Sequence, residues 1–323
     1  LVADPAVVDN GDSILIMGTG DILKYRNLDS LINAEPAQKE SLTLFKEISV
    51  GPRKVIVYMM PDELPWDLQF YEIDGEKYLY GGVMSPLPGT NNARWPHENI
   101  SRRIKVATFD EELSGWVFRE QPVFGKIDHV NWIGHSYGQQ IIKDKNGLYM
   151  FHEEISREGI TELFVRKMIS PFKAGEALKI AGVESLPAEL TKRVDGGHLL
   201  EGPRYMKTKV NGKEVHLVFF STGDFPTKNY ATRVAYSFNG ILGPYEVIPH
   251  DITESAENEG LHGVGRAFPF KHQGKNWIIF HGAKDLRGVD HTKWPENLDH
   301  FKRCLFVSPL KLKIENGKLK AQI

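Results

Sequence analysis

The sequence has little of three features that define other protein classes: cysteine, charge of one sign and long apolar runs. Its 323 residues include a single cysteine, Cys304, which excludes an intrachain disulfide and a cysteine-based zinc cluster. Lys and Arg number 40 against 42 Asp and Glu, and this balance removes the attraction on which nucleic-acid partners depend. No apolar stretch approaches the roughly 20 residues that cross a bilayer, so we expect no membrane span.

Helical patterns are also scarce. One stretch, around Ser30 to Phe45, favours a helix. Elsewhere, short β-branched and aromatic runs alternate with turns rich in Gly, Asn, Asp and Pro. The 30 Gly, the 18 Pro and the 11% of aromatic residues are spread along the whole chain. We therefore expect an all-β protein.

A repeat of about 65 residues organises the chain. Its marker is a turn followed by an alternating strand, which occurs at Asp9-Asn10-Gly11, Asp74-Gly75, Asn146-Gly147, Asn211-Gly212 and Gln273-Gly274. Strands led by an arginine follow, beginning at Arg102, Arg166, Arg233 and Arg303. Four antiparallel strands repeated five times predict a five-bladed β-propeller. A β-sandwich or two stacked β domains would leave the period unexplained.

The predicted propeller is a single domain over residues 1–323, with blades at roughly 1–60, 61–125, 126–195, 196–255 and 256–323. The inner strands of a propeller converge on a central channel, so the residue just before each inner strand indicates a site. These positions hold Asp4, Trp66-Asp67, Tyr137-Gly138-Gln139, Glu201 and His262. Acidic residues there would converge from separate blades, and two opposed carboxylates are what glycosidic cleavage requires.

Several segments carry a family resemblance that extends over essentially the whole chain. They are ADPAVV, PWDLQFYEIDGEKYLYGG, RIKVAT, EGPRYMK, GLHGVGRAFPF, WIIFHG and RCLFVSPLKL, in this order. Together they resemble glycoside hydrolase family 43 and its five-bladed propeller relatives. The resemblance implies an inverting hydrolase of arabinose-, xylose- or galactose-type bonds in plant or algal polysaccharides and oligosaccharides. It requires no cofactor and implies a secreted or periplasmic location. Because the chain begins at Leu1 rather than Met, we also expect a processed product.

The resemblance assigns the two catalytic carboxylates. It makes Asp4 the general base that activates a water and Glu201 the general acid that protonates the leaving oxygen. The family has a third carboxylate in blade three, which orients the acid and tunes its pKa, but Gly138 stands there in this chain. The candidates to replace it are Asp128, Asp67 and His135.

Sugar sites combine aromatic faces with planar polar groups. The candidate substrate-binding residues are Trp66, Asp67, Trp95, Trp132, Tyr137, His198, Arg204, Phe225 and Arg266. His262 matches the family's histidine near the channel, which in many members lies close to a central metal. The resemblance therefore implies a structural Ca²⁺ in the channel, and calcium would take mostly oxygen ligands.

Two alternatives to this function stay open. The first is a related propeller hydrolase with a different acid and base, such as the anhydrogalactosidases that act on agar oligosaccharides. The second is a catalytically silent propeller that binds carbohydrate. The glycine at position 138 supports both, because it removes one of the family's carboxylates.

Overall fold

Five antiparallel β-sheets form the blades of a propeller, as the repeat predicts. The computed structural model describes residues 6–9, 12–17, 21–33, 35–59, 65–86, 100–125, 135–156, 159–193, 196–224, 227, 229–258, 260–283 and 304–323. Within these ranges the fold prediction is confirmed, and the blades follow one another along the chain.

Blade one is a four-stranded sheet in the order β1-β2-β3-β4. Its strands are β1 (Ala6–Asp9), β2 (Ile14–Met17), β3 (Asp21–Tyr25) and β4 (Gln38–Ser41). A short helix, α1 (Leu28–Ile32), lies between β3 and β4 and is capped by Asn27, whose side chain accepts from the Ser30 N–H at 2.9 Å. The helix expected from Ser30 to Phe45 is therefore mostly wrong. Pro36 follows α1 and cannot donate a helical hydrogen bond, and the chain turns into strands instead.

The second sheet has six strands in the order β6-β5-β10-β9-β8-β7. Its strands are β5 (Leu44–Val50), β6 (Arg53–Tyr58), β7 (Trp66–Ile73), β8 (Glu76–Pro86), β9 (Ile100–Asp110) and β10 (Gly115–Phe118). The hairpin β5–β6 joins the outer edge of this sheet, because β5 pairs in parallel with β10. The inner edge is β7, which lies beside the channel.

Blades three and four each have four strands in simple chain order. Blade three consists of β11 (His135–Asp144), β12 (Gly147–Ile155), β13 (Thr161–Ser170) and β14 (Lys173–Ala181). Blade four consists of β15 (Leu200–Val210), β16 (Lys213–Thr222), β17 (Ala231–Ser237) and β18 (Glu246–Ile248). Two turns of 3₁₀ helix, Val183–Ser185 and Ala188–Leu190, connect these blades.

Blade five and a terminal hairpin complete the described part of the chain. Blade five contains β19 (His262–His272), β20 (Lys275–Ala283) and β21 (Cys304–Pro309), and the hairpin contains β22 (Lys311–Glu315) and β23 (Lys318–Gln322). Helix α2 (Glu254–Asn258) precedes blade five. Neither described helix is long and apolar enough to cross a membrane.

Apolar side chains between neighbouring blades form the core. Ile14 and Ile16 of blade one pack against Phe268 of blade five, so the first and last blades are in contact. Other clusters join blades two and three, three and four, and four and five. Because each blade buries both of its faces against neighbours, the inner strands are held at fixed angles around the channel.

Candidate functional site

A β-bulge recurs near the start of the inner strands of blades two to five. The register shifts lie between Trp66 and Gln69, Tyr137 and Gln140, Glu201 and Arg204, and His262 and Gly265. The first bulged residue has positive φ in all four: Asp67 at 52°, Gly138 at 65°, Gly202 at 63° and Gly263 at 58°. The bulge therefore makes Trp66, Tyr137, Glu201 and His262 structurally equivalent and places them at one end of the channel.

Glu201 is held at both carboxyl oxygens. Arg266 Nη2 donates to its Oε2 at 3.0 Å, and the Tyr230 hydroxyl donates to its Oε1. The residue is only 8% exposed. Tyr230 is itself locked in place, because its ring stacks on His281 with centroids 5.9 Å apart and lies where a side chain at Gly265 would be. Glu201 therefore has one fixed orientation.

Asp67 is the second carboxylate of the site. It is completely buried, and its carboxylate accepts from Arg204 Nη2 at 3.0 Å and from Arg266 Nη1 at 3.3 Å. Arg266 thus links Asp67 in blade two to Glu201 in blade four. Asp67 has a φ of 52° at the bulge position where blades three to five have glycine, and aspartate is one of the residues that accept this conformation.

Arg204 holds the main chain and the Asp67 side chain of the site in place. Its Nη1 donates to the main-chain oxygens of Gly138 at 2.7 Å and Gln139 at 3.2 Å, while Nη2 holds Asp67. The side chain is buried across blades two, three and four. Arg204 was expected to bind substrate, and the structure shows it bonded to protein oxygens from three blades.

A third carboxyl group enters the site from a strand that the sequence interpretation assigned no role. Glu153 lies on β12, opposite Tyr137 in the register, and is completely buried. Its Oε2 accepts from the Gly202 N–H, the peptide next to Glu201. Burial raises the pKa of Glu153 well above its ordinary value, as do the nearby charges of Glu201 and Asp67, whereas Arg266 acts in the opposite direction.

The sequence held a signal for Glu153. Residues alternate along a strand, and Tyr149 and Phe151 of β12 face the cluster that joins blades three and four. Glu153 continues that series, so its side chain faces blade four and Glu201. The adjacent Glu154 faces the other way and pairs with Arg166 at 2.7 Å.

Aromatic side chains lie beside the carboxyl groups. Trp66, which is partly exposed, meets Tyr137 edge to face with centroids 5.7 Å apart. The Arg102 guanidinium lies 3.0 Å from the centroid of the Trp66 ring, and burial lowers the pKa of Arg102 to about 10, so it stays charged at neutral pH. Burial raises the pKa of Tyr137 well above its ordinary value. Of the two rings, only that of Trp66 is partly exposed.

The remaining sequence candidates fall elsewhere. Asp4, Trp95, Asp128, Trp132 and Phe225 lie outside the described residues. His135 Nδ1 accepts from the main-chain N–H of Arg102 at 3.1 Å, which places His135 between blades two and three. His198 is 2.8 Å from Thr191 Oγ1 through its Nδ1.

His262 has the position in blade five that Glu201 has in blade four. Within the described ranges, no group of three or more His, Cys, Asp or Glu side chains is arranged to hold a metal ion. Calcium needs six to eight oxygen ligands, and the imidazole of His262 offers only nitrogen. The calcium in the channel stays a prediction.

The chain is similar in structure to several solved glycosidases. A thermostable family-43 glycoside hydrolase superposes with a TM-score of 0.67 at 13% identity, covering 99% of this chain and 92% of that one. The α-L-arabinofuranosidase from Lactobacillus brevis gives 0.68 at 14% identity, covering 96% and 90%. The endo-arabinase from Bacteroides thetaiotaomicron VPI-5482 gives 0.60 at 14% identity, covering 98% and 96%. No protein-family model and no curated protein sequence matches the chain.

Proposed function

We propose that the chain is a glycoside hydrolase that works with inversion, with Glu201 as the general acid and Asp4 as the general base. The observation that carries this proposal is the fixed carboxyl group of Glu201 at the channel end, held by Arg266 and Tyr230 in a residue that is 8% exposed. A general acid must keep one orientation toward the leaving oxygen, and these contacts supply it.

The contacts around Glu201 are compatible with both of its protonation states. In the ionised state Tyr230 donates to Oε1; when Oε1 carries the proton, the same hydroxyl accepts from it, because a phenol oxygen does both. Oε2 stays bonded to Arg266 throughout. To reach a glycosidic oxygen, the proton on Oε1 must turn from the Tyr230 oxygen toward the substrate, while Arg266 holds the carboxyl plane in place.

The base would come from blade one. Asp4 immediately precedes the segment that leads into β1, whose cluster of apolar side chains packs on blade five. An inverting pair needs about 6.5–9.5 Å between its carboxyl groups so that a water fits between them and the sugar. Blade one lies between blades two and five around the ring, and Asp4 itself lies outside the residues that the structure describes.

The proposed substrates are chains that contain arabinose, xylose or galactose, and arabinofuranosides come first. The similar solved structures include an α-L-arabinofuranosidase and an endo-arabinase, and this supports the choice. In this protein the partly exposed Trp66 ring would carry a sugar by stacking. Polymeric wall sugars are found outside the cell, so we also propose a secreted or periplasmic protein.

The test is a screen of aryl glycosides of α-L-arabinofuranose, β-D-xylose and D-galactose. We compare the wild type with Glu201→Gln and with the control Glu214→Gln, whose side chain on β16 is 53% exposed. We expect turnover by the wild type and the control and a loss of about 10²–10⁴-fold in Glu201→Gln. Proton NMR of the first product anomer tests inversion. Equal turnover by all three proteins would refute the role of Glu201.

Sugar binding without turnover is the second candidate, and Gly138 favours it, because the family's blade-three carboxylate is missing there. In that case calorimetry would show arabino- or xylo-oligosaccharide binding that survives Glu201→Gln, while no aryl glycoside would be hydrolysed. Turnover of any one substrate at a rate that depends on Glu201 would exclude this candidate.

A further inference from the structure

The carboxyl group of Glu153 lies directly beside Gly138. A Cβ atom built on Gly138 would lie 2.6 Å from Glu153 Oε2 and 3.0 Å from its Cδ, far inside van der Waals contact. Gly138 also has a φ of 65°, which glycine adopts without strain. A side chain at position 138 and the observed Glu153 therefore exclude one another, and the carboxyl group of Glu153 occupies the space beside the bulge that a side chain at 138 would need.

Glu153 also contacts the main chain that carries Glu201. Its Oε2 accepts from the Gly202 N–H, and Gly202 is the first bulged residue of β15, directly after Glu201. The contact joins blade three to blade four at the point where the Glu201 side chain leaves the backbone. The other oxygen of Glu153 has no hydrogen-bond partner among the residues that the structure describes.

The charged groups around Glu153 determine whether its carboxyl group binds a proton. Two guanidinium groups, Arg204 and Arg266, hold Asp67 and Glu201. Glu153 is a third carboxyl group in the same buried cluster, and four side chains on other strands interact with it electrostatically: Asp67 on β7, Tyr137 on β11, Glu201 on β15 and Arg266 on β19. Arg102 on β9 is a further cation of the cluster and acts on Asp67 and Tyr137. Arg266 is a countercharge for Glu153, but it is bonded to both Asp67 and Glu201, so burial favours a Glu153 that shares a proton with its neighbours.

We infer that Glu153 is the positioning residue that keeps Glu201 oriented and protonated, and that β12 supplies this carboxyl group in place of the one missing at position 138. The inference rests on the proposed hydrolase function. It names a residue that none of the three sequence candidates included. Glycine at position 138 fits both the positive φ of the bulge, which Gly202 shares, and the Glu153 carboxyl group beside it.

The inference predicts a specific change in the pH profile. When Glu153 and Glu201 share one proton, repulsion between the two anions delays the loss of that proton as the pH rises. Glu153→Gln keeps the shape and removes the repulsion. We expect the alkaline limb of kcat/KM to move to lower pH by about one unit in Glu153→Gln and in Glu153→Ala. The control Glu154→Gln, on the same strand but facing away, should leave the limb in place.

A double variant tests the exchange of positions directly. Asp67 shows that this fold accepts aspartate at a bulge position with a φ of 52°. Gly138→Asp combined with Glu153→Ala therefore moves the carboxyl group from β12 to β11 and removes the clash. We expect the double variant to return the alkaline limb toward that of the wild type, whereas Gly138→Asp alone should lower the melting temperature.

The titration of Glu201 gives a measurement that does not need turnover. Carboxyl ¹³C NMR would follow Glu201, assigned by the signal lost in Glu201→Gln, in the wild type and in Glu153→Gln. A midpoint that falls in Glu153→Gln supports the inference even if no substrate is hydrolysed, in which case only the proposed function fails. Unchanged midpoints and unchanged pH limbs in an active enzyme would overturn the inference and leave the hydrolase standing.

Discussion

Arg266 donates to Glu201 at 3.0 Å and to Asp67 at 3.3 Å, and so connects the inner strands of blades two, four and five through one guanidinium group. All three side chains are buried. Removing the arginine would leave two carboxylates in a low-dielectric site with less countercharge, which affects both folding and the orientation of Glu201.

The first prediction concerns that arginine. Arg266→Met should lower the free energy of unfolding by about 3–5 kcal/mol at neutral pH, because it breaks a buried ion pair. The control is Arg26→Met, which removes the exposed pair between Arg26 and Glu35 and should cost about 0–1 kcal/mol. Urea unfolding followed by tryptophan fluorescence measures both. Equal losses in the two variants would contradict the account of the buried cluster.

The second prediction separates orientation from packing at Tyr230. Tyr230→Phe keeps the ring against His281 and removes the hydroxyl that contacts Glu201. A hydrogen bond to a charged group contributes about 1.5–3 kcal/mol, so kcat should fall by roughly 10–100-fold. Tyr245→Phe is the matched control, because its hydroxyl bonds to the Ile241 carbonyl at 2.7 Å, away from the site. A kcat that falls equally in both variants would show a general effect on the fold.

The third prediction concerns the stability of the protein in mild acid. Burial and the neighbouring Arg166 lower the pKa of His152 to about 3, below its ordinary value of 6.5. Between these values the unfolded chain binds a proton that the folded protein does not, so His152 reduces stability as the pH falls from 6.5 toward 3. His152→Gln should flatten the fall in unfolding free energy over this window, measured by urea titrations at several pH values. An unchanged slope would mean that other groups cause the acid sensitivity.

Sequence reasoning succeeded where the chain repeats itself. The turns at Asp74-Gly75, Asn146-Gly147 and Asn211-Gly212 each join an inner strand to its neighbour, because local turn chemistry decides this geometry. The positions that it singled out in blades two to five lie inside the inner strands, at their bulges, rather than before the strands. The helix near Ser30 was mostly wrong, because Pro36 follows α1 and the pairing of β4 with β3 outweighs helical propensity beyond it.

The rest of the site depends on contacts between distant residues. Tyr230 lies in a loop with no recognisable motif, and only the fold brings its hydroxyl to Glu201, 29 residues earlier in the chain. The bulges rotate the side chains that follow them, so strand alternation alone could not show that Arg204 and Asp67 meet. Glu153 could not be predicted for a related reason: it lies on β12, the second strand of its blade, and only the fold brings that strand to Glu201.

The central claim is that Glu201 is the general acid. The most direct test asks whether the fall in kcat/KM caused by Glu201→Gln depends on the leaving group of the substrate. A 2,4-dinitrophenyl glycoside needs no proton to depart, whereas the matching methyl or phenyl glycoside does. We predict that Glu201→Gln lowers kcat/KM by about 10²–10⁴-fold on the poor leaving group and far less on dinitrophenolate. Equal losses on both substrates would contradict the assignment of Glu201 as the acid.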